Sequence, residues 1–261
     1  MIHWTVIGSG THMASGRRGS PGHLAAAGAT RLLVDCGAGT FHGLARAGVC
    51  PESIDGCLVT HLHPDHVADL VPFLFRVRNH VKERGEGRRL VIAGPGGIGS
   101  FFRELRALHA PFLETPNLEI SVREVESDNF EIGDIEVRSI PVPHGIDSVA
   151  YSCAAPDGSR IVYTGDTGRS AELIRLARGA AILVIEASLP VGGEPAPFHL
   201  SAPEAASVAA AVEVKAMVLV HLNPESDGVD LVAECGDLFS GKILVGEDGL
   251  TVRVEGGEPI V

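Results

Sequence analysis

Short apolar runs alternate with turns and amphipathic stretches along the whole chain. Runs rich in β-branched residues predict strands over Ile2 to Ile7, His23 to Ala27, Arg31 to Val34, Gly56 to Thr60, Arg89 to Ala93, Leu118 to Val125, Ile135 to Ile140, Val149 to Ala154, Arg160 to Thr164, Ala181 to Ile185, Ala216 to Val220 and Lys242 to Val245. Apolar positions at helical spacing predict helices over Gly39 to Ala47, His66 to Val81, Ile98 to Ala110, Ala171 to Ala177, Ala202 to Val212 and Val229 to Phe239. This is the pattern of an α/β fold, and two sheets with helices outside would bury so many apolar strands. No Pro/Ser-rich linker interrupts the series, so residues 1–261 are expected to form a single domain. One echo stands out: LVTHLHPD and VLVHLNPE both run from an apolar strand into His-Leu-x-Pro-acid, which a pseudo-repeated half or chance would equally produce.

Composition supports a soluble enzyme-sized domain, with 261 residues, 45% hydrophobic and 21% charged. The first ten residues have no basic start before an apolar stretch, and Glu213 and Lys215 interrupt the alanine-rich segment from Ala205, so neither a signal peptide nor a membrane span is expected and the location is read as cytoplasmic. Five cysteines without a CxxC pair argue against a disulfide framework or a thiolate metal site, and most are expected to be buried packing residues. A net charge of −12 disfavours non-specific adhesion to nucleic acid. Two basic features run against that balance. One is the stretch from Arg76 to Arg89, with six basic residues against Glu83 and Glu86; the other is Arg17 and Arg18 in the Gly-rich loop after the first strand. Both are candidates for substrate contact, with a solvated face as the plain alternative.

The chemistry is concentrated in HLHPDH, where His61, His63, Asp65 and His66 follow an apolar run. Neutral imidazole and carboxylate are ligands for zinc-like ions, and three His with one Asp are enough to contribute to two ions. In an extended segment His61 and His63 point the same way, while Asp65 and His66 fall where the chain turns into a helix.

The spacing HxHxDH resembles the metal-binding signature of the metallo-β-lactamase fold hydrolases. Further along, His144 in PVPHG, Asp166 in IVYTGDTG and His221 in VLVHLNP follow expected strands in the order of that family. The resemblance runs over roughly residues 3 to 254. It is nearest to the ribonuclease Z-like branch through LLVDCGAGT, the GDT triplet, Glu186 in LVIEAS, and His199 with Ser201 before a helix. It implies a four-layer αββα sandwich. It also implies that His61, His63 and His144 hold a first metal, that Asp65, His66 and His221 hold a second, and that Asp166 bridges them. The ions expected are two divalent cations, zinc first, with manganese or iron as alternatives. A water shared by the two ions would be the nucleophile of metal-assisted hydrolysis. By the same resemblance His199 reaches toward the scissile phosphate as a phosphate-binding or acid group, Glu186 orients it, and Asp65 serves as a proton acceptor besides a ligand.

Other motifs are read more plainly. Ser201 can cap the helix from Ala202 with Glu204 as its reciprocal partner, which would fix the loop of His199. Asp35 is either a partner for a ligand histidine or a turn cap. GSGTHMASG lacks the following helix of a dinucleotide fingerprint and reads as a rim loop of the active site. GPGG at Gly94 to Gly97 lies between a strand and a helix, where backbone amides could meet an anion, or is a plain turn.

The reading favoured is a phosphodiesterase for a small or cyclic phosphodiester. The long Gly- and Pro-rich arm that grips tRNA in the ribonuclease Z family has no counterpart, and Ser9 to Gly22 (SGTHMASGRRGSPG) departs from the family loop. Alternatives are a tRNA 3′-processing endoribonuclease, a lactonase, thioesterase or β-lactamase-like hydrolase, and, in a different class, a metal-binding scaffold without turnover. Nucleic acid is not the favoured partner; a homodimer is the expected assembly.

Overall fold

The computed structural model describes residues 1–194 and 196–261. Among the described residues fifteen strands form two sheets. The first contains β1 (Ile2–Gly8), β2 (Gly22–Ala27), β3 (Thr30–Cys36), β4 (Gly56–Leu58), β5 (Arg88–Gly94), β6 (Leu118–Glu124), β14 (Thr251–Glu255) and β15 (Glu258–Ile260), in the order β15-β14-β1-β2-β3-β4-β5-β6. The second contains β7 (Asn129–Ile132), β8 (Ile135–Pro141), β9 (Val149–Ala154), β10 (Arg160–Tyr163), β11 (Ile182–Glu186), β12 (Ala216–Val220) and β13 (Lys242–Val245), in the order β13-β12-β11-β10-β9-β8-β7. Each sheet is antiparallel in one half and parallel in the other: β3 to β6 run parallel, as do β10 to β13.

The layering follows from burial. Trp4, Leu32, Tyr151, Val184 and Val218 pack between the sheets. The outer face of the first sheet lies under α1 (Thr40–Arg46), α3 (Leu70–Arg84) and α4 (Ile98–His109), through Leu44, Phe73, Val77 and Phe102. The outer face of the second lies under α5 (Ala171–Ala177), α6 (Ala202–Val212) and α7 (Leu231–Cys235), through Leu173, Ala206, Val212 and Leu231. This is the four-layer αββα sandwich. Strands such as ILVIE and AMVLV are buried at every position because one face meets the opposite sheet and the other a helix.

Several elements differ from expectation for local reasons. The helix expected over His66 to Val81 is two helices, α2 (Pro64–Val67) and α3. Pro72 lacks a backbone N–H and is accommodated only within the first turn of a helix, so the second helix starts just before it. At the break Asp69 takes other partners, its N–H donating to the Cys36 carbonyl and its carboxylate accepting from the Phe41 N–H. The helix expected over Val229 to Phe239 shortens to Leu231–Cys235, capped by Asp230 and ended by Gly236 at φ 50°. The strands β7, β14 and β15 were not expected from the pattern. The first and last pairs are joined by Gly133-Asp134 and Gly256-Gly257, hairpin-turn residues between alternating positions. Cys50 is exposed, whereas the other four cysteines are buried and none is paired. Among the described residues no helix is long and apolar enough to cross a membrane.

Candidate metal centre and active site

The loops that leave the parallel strands converge at one end of the two sheets. The Val59 N–H makes the last bond to β5, donating to the Ala93 carbonyl, and the chain then leaves the ladder, the Thr60 N–H donating instead to Asp35 at the end of β3. That exchange carries His61 and His63 forward and starts α2 with Pro64 in its first turn, which presents Asp65 and His66. Gly37 allows the close approach, since a Cβ there would lie 1.8 Å from the Asp65 carbonyl oxygen. His221, directly after β12, has φ 55°, a left-handed conformation that costs a non-glycine residue about 1–2 kcal/mol. Asp35 has φ 58°. Such backbone persists only where the surroundings over-determine it.

All seven residues expected as ligands come together. His61, His63, His144 and Asp166 present donor atoms within 4.8 Å of one another, and so do Asp65, His66 and His221. His63 Nδ1 is 3.1 Å from His61 Nε2 and 3.2 Å from His144 Nε2. Asp166 lies between the two groups: Oδ1 is 3.4 Å from His66 Nε2, and Oδ2 is 3.4 Å from His221 Nε2 and 3.8 Å from His61 Nε2. Asp65 Oδ2 is 3.6 Å from His221 Nε2 and 3.8 Å from His66 Nε2. Four-coordinate zinc with bonds of roughly 2.0–2.1 Å places neighbouring ligand atoms about 3.3–3.4 Å apart, so these spacings fit. The buried atoms His66 Nε2, Asp166 Oδ1, His221 Nδ1 and His221 Nε2 have no hydrogen-bond partner among the described residues. Buried polar atoms are normally satisfied, and His66 Nε2 and Asp166 Oδ1 face each other here at 3.4 Å within a nitrogen and oxygen donor set suited to a borderline or hard cation.

The electrostatics point the same way. Burial, reinforced by His66, drives the His61 imidazole far below its ordinary value, and burial also lowers His144. Burial by itself would raise Asp166, but His221, His66 and His61 pull it well below the carboxylate range. Burial opposes charge on His66 as well, yet Asp166 and Asp35 outweigh it and hold its proton well above the usual pH. A cation binding there displaces that proton.

A buried polar layer holds these side chains. Asp35, fully buried, accepts from His66 Nδ1 at 2.8 Å, from the Thr60 N–H at 2.8 Å and from the Tyr163 hydroxyl at 3.0 Å. Asp35 is therefore tied to His66 rather than acting as a turn cap alone. Thr60 and Tyr163 gave no signal in sequence, since a strand-end threonine and a core tyrosine look like packing residues.

His199 lies beside this cluster, its ring 5.0 Å from His144 and 6.2 Å from His221. Its Nδ1 donates to Glu186 Oε1 at 2.8 Å. Glu186 is fully buried and also accepts from the Thr167 N–H, the Ser188 N–H and hydroxyl, and the Leu200 N–H. Burial works against protonation of His199, but the hydrogen bond and charge of Glu186 prevail and raise its pKa. The Glu204 carboxylate accepts from the Ser201 N–H at 2.9 Å and hydroxyl at 2.8 Å, anchoring the loop where α6 begins.

Several of the other candidates are engaged elsewhere. Arg18 is buried and pairs with Asp227 at 2.8 Å while donating to Ser9 Oγ at 2.9 Å, so it braces the first loop instead of facing a phosphate. Within Arg76 to Arg89, Arg76 pairs with Glu52, Arg88 with Asp55 and Arg89 with Glu119, and Arg78 donates to the Glu114 carbonyl. At GPGG the amides of Gly97 and Gly99 donate to Glu124, each at 3.2 Å, so the anion there is the chain's own.

Residues 30–222 match the family model of the beta-lactamase superfamily domain. The chain belongs to that superfamily. Within it, the chain is 33% identical to a ribonuclease Z of Mycobacterium sp. (strain KMS) over 282 aligned positions, covering 98% of each protein, which places it in the ribonuclease Z-like branch. Two solved structures share the fold. The metallo-beta-lactamase fold protein YhfI of Bacillus subtilis superposes with TM-score 0.82 at 23% identity, over 96% of this chain and 98% of that one. The short form of human tRNase Z superposes with TM-score 0.74 at 20% identity, over 97% and 99%. As a member of this superfamily the protein is a metal-dependent hydrolase acting on ester bonds, and its fold implies divalent-metal binding.

Proposed function

We propose that the protein is a phosphodiesterase that hydrolyses a small or cyclic phosphodiester with two divalent cations, zinc first among them. His61, His63 and His144 are assigned to one cation and Asp65, His66 and His221 to the other, with Asp166 shared. When bound, such cations supply Lewis acidity toward a phosphoryl oxygen and lower the pKa of water.

The observation that carries the phosphodiester reading is the His199–Glu186 pair beside that cluster. A phosphodiester needs a proton delivered to a poor alkoxide leaving group, and the buried carboxylate of Glu186 raises the His199 pKa and so favours the protonated, donating form of the imidazole. With Nδ1 fixed on Glu186, the free Nε2 is the atom that donates. The His199 side chain is 31% exposed, against 0–5% for His61, His66 and His221, so substrate can reach it. Asp65 is the more open of the two carboxylates, 12% against 4% for Asp166, and is the one assigned to accept a proton from incoming water.

The small-substrate reading is supported by the loops. Among the described residues the longest excursions between elements are 9–21 and 187–201. Both are tied to the body of the protein, the first through the bridge of Gly10 to Leu222 and the second at its base through that of Leu189 to Ser201, and neither reaches the length of a long arm. The second reading, tRNA 3′ processing, rests on the ribonuclease Z likeness.

A panel of bis-p-nitrophenyl phosphate, cyclic nucleotides, a tRNA precursor, a lactone and a β-lactam decides between them. The expected result is turnover of small phosphodiesters above the rest. His199→Ala should retain the metals and slow turnover by about 10²–10⁴-fold for poor leaving groups, with a much smaller effect for p-nitrophenolate. Equal loss across leaving groups, or preferential cleavage of the tRNA precursor, would remove the reading.

A further inference from the structure

Thr60 stands where the chain leaves the first sheet for His61, and each of its polar groups is used. Its N–H donates to Asp35 Oδ1 at 2.8 Å, and its carbonyl accepts from the Val149 N–H at 2.9 Å, which ties the segment after β4 to the opposite sheet. Its hydroxyl oxygen lies 3.0 and 2.9 Å from Asp35 Oδ1 and Oδ2, and 3.0 Å from His61 Nδ1. Thr60, Asp35, His61 and His66 are all 0% exposed, so water does not compete for these bonds. The threonine is also held from the side: a Cβ on Gly165, the residue before Asp166, would lie 2.8 Å from Thr60 Cβ. Counting protons then fixes the direction of each bond. An ionised carboxylate only accepts, and a hydroxyl has a single hydrogen. That hydrogen goes to Asp35, since the opposite arrangement sets a hydroxyl lone pair against both carboxylate oxygens, and the hydroxyl accepts from His61. His61 thereby carries its proton on Nδ1, and its Nε2 lone pair faces the centre, 3.1 Å from His63 Nδ1 and 3.8 Å from Asp166 Oδ2. The same count on His66 gives Nδ1–H to Asp35 Oδ2 at 2.8 Å and leaves Nε2 at 3.4 Å from Asp166 Oδ1.

We propose that Thr60 is a positioning residue whose hydroxyl relays Asp35 to His61, so that one buried carboxylate orients an imidazole from each of the two cation sets. His66 is held directly and His61 through the hydroxyl. The inference rests on the two-cation assignment above, and adds a path through the protein between the two sets besides the shared Asp166. The consequence is asymmetric. Loss of the Thr60 hydroxyl releases His61 alone, whereas loss of the Asp35 charge weakens the hold on both histidines. Hydrogen bonds of this kind fix the tautomer and ring orientation of a ligand imidazole, and contribute about 10–100-fold to metal affinity.

The test is a zinc titration of the native protein, Thr60→Val and Thr60→Ser, followed by long-range proton–nitrogen correlation spectra of the histidine rings. These spectra read which ring nitrogen carries a proton and which imidazoles have taken up zinc. In the native protein the His61 proton should sit on Nδ1, and both sets should fill. Thr60→Val keeps the branched shape and removes the hydroxyl; it should weaken zinc at His61, His63 and His144 by about 10–100-fold and affect Asp65, His66 and His221 far less. Thr60→Ser restores the hydroxyl without the methyl group and should recover most of the lost affinity. A His61 proton on Nε2 in the native protein overturns the proposal, and that measurement holds even where Thr60→Val does not fold. Native affinity in Thr60→Val, equal weakening of both sets, or no recovery in Thr60→Ser overturns it as well. Each of those results in a native protein that binds zinc at both sets sinks this inference alone. A native protein that takes up no zinc sinks the two-cation assignment and the inference with it.

Discussion

At the residue scale, the centre is a set of donors that cannot satisfy one another. His61, His66 and His221 are buried among imidazoles and two carboxylates, and their ring nitrogens face atoms 3.1–3.8 Å away that are themselves lone-pair carriers unless protonated. Asp35 determines which nitrogen of His66 points inward, because Nδ1–H is held at 2.8 Å and Nε2 is left to the centre. Replacing Asp35 by Asn keeps the left-handed backbone accessible but removes the charge opposite His66, so retained metal should weaken by about 10–100-fold. Elemental analysis after graded chelation measures this. Asp166→Ala, which removes an assigned ligand of both cations, should lose metal and hydrolysis together. Asp35→Asn retaining metal as tightly as the native protein would leave Asp35 as a purely structural carboxylate. The candidate ligands His61, His63, Asp65 and His66 were readable from spacing because such chemistry favours His and Asp, and His144, Asp166 and His221 through the family resemblance; the supports Thr60 and Tyr163 were not, because a hydroxyl reports its partner only in three dimensions.

At the element scale, the centre depends on how closely loops pass one another. The turn after Asp166 packs against the segment that carries His199: a Cβ on Gly168 would lie 2.0 Å from the Pro197 carbonyl oxygen. The Cβ position is fixed by the backbone and the carbonyl oxygen is part of it, so neither can rotate away. Gly168→Ala should therefore displace the 197–199 segment, slowing turnover of poor leaving groups about as much as loss of His199, by about 10²-fold or more, while the metal content stays near that of the native enzyme. Loss of metal in step with activity would show instead that the strain falls on Asp166. Helix and strand positions were largely legible, since the apolar period sets them. The break between α2 and α3 was signalled by Pro72 but needed Asp69 bonded to the β3 and α1 ends to place it. The echo of LVTHLHPD and VLVHLNPE acquires a geometric meaning: the segments leave parallel strands of different sheets, and His61 and His221 both approach Asp166.

At the scale of the whole molecule, the inter-sheet core contains a histidine with neither ring nitrogen hydrogen-bonded among the described residues. His23 is 1% exposed and lies between Trp4 and Tyr163, with ring centroids 5.5 and 4.4 Å away. Burial, with smaller contributions from His66 and His221, lowers its pKa from 6.5 to about 3. Because the folded value lies below the unfolded one, the unfolded chain takes up a proton that the folded chain refuses as pH falls from 6.5 toward 3. Stability should then decline by roughly 1.4 kcal/mol per pH unit in that window, with no contribution above it. His23→Leu should flatten this decline. Between pH 7 and pH 5 the native protein should lose about 2 kcal/mol more than the variant in urea unfolding, both stripped of metal so that ligand protonation contributes equally. Identical slopes would mean that water reaches His23. By itself the sequence determined the element series, the α/β class and the cluster of His61, His63, Asp65 and His66, because apolar period and metal-binding chemistry are both written in local residue types, whereas His144, Asp166, His221 and the four-layer arrangement were expected through the family resemblance. Only the tertiary structure decided that Glu186 holds His199, that Asp35 holds His66 and that Arg18 is a brace. Each of those depends on distances between segments far apart in the chain, which no local pattern encodes.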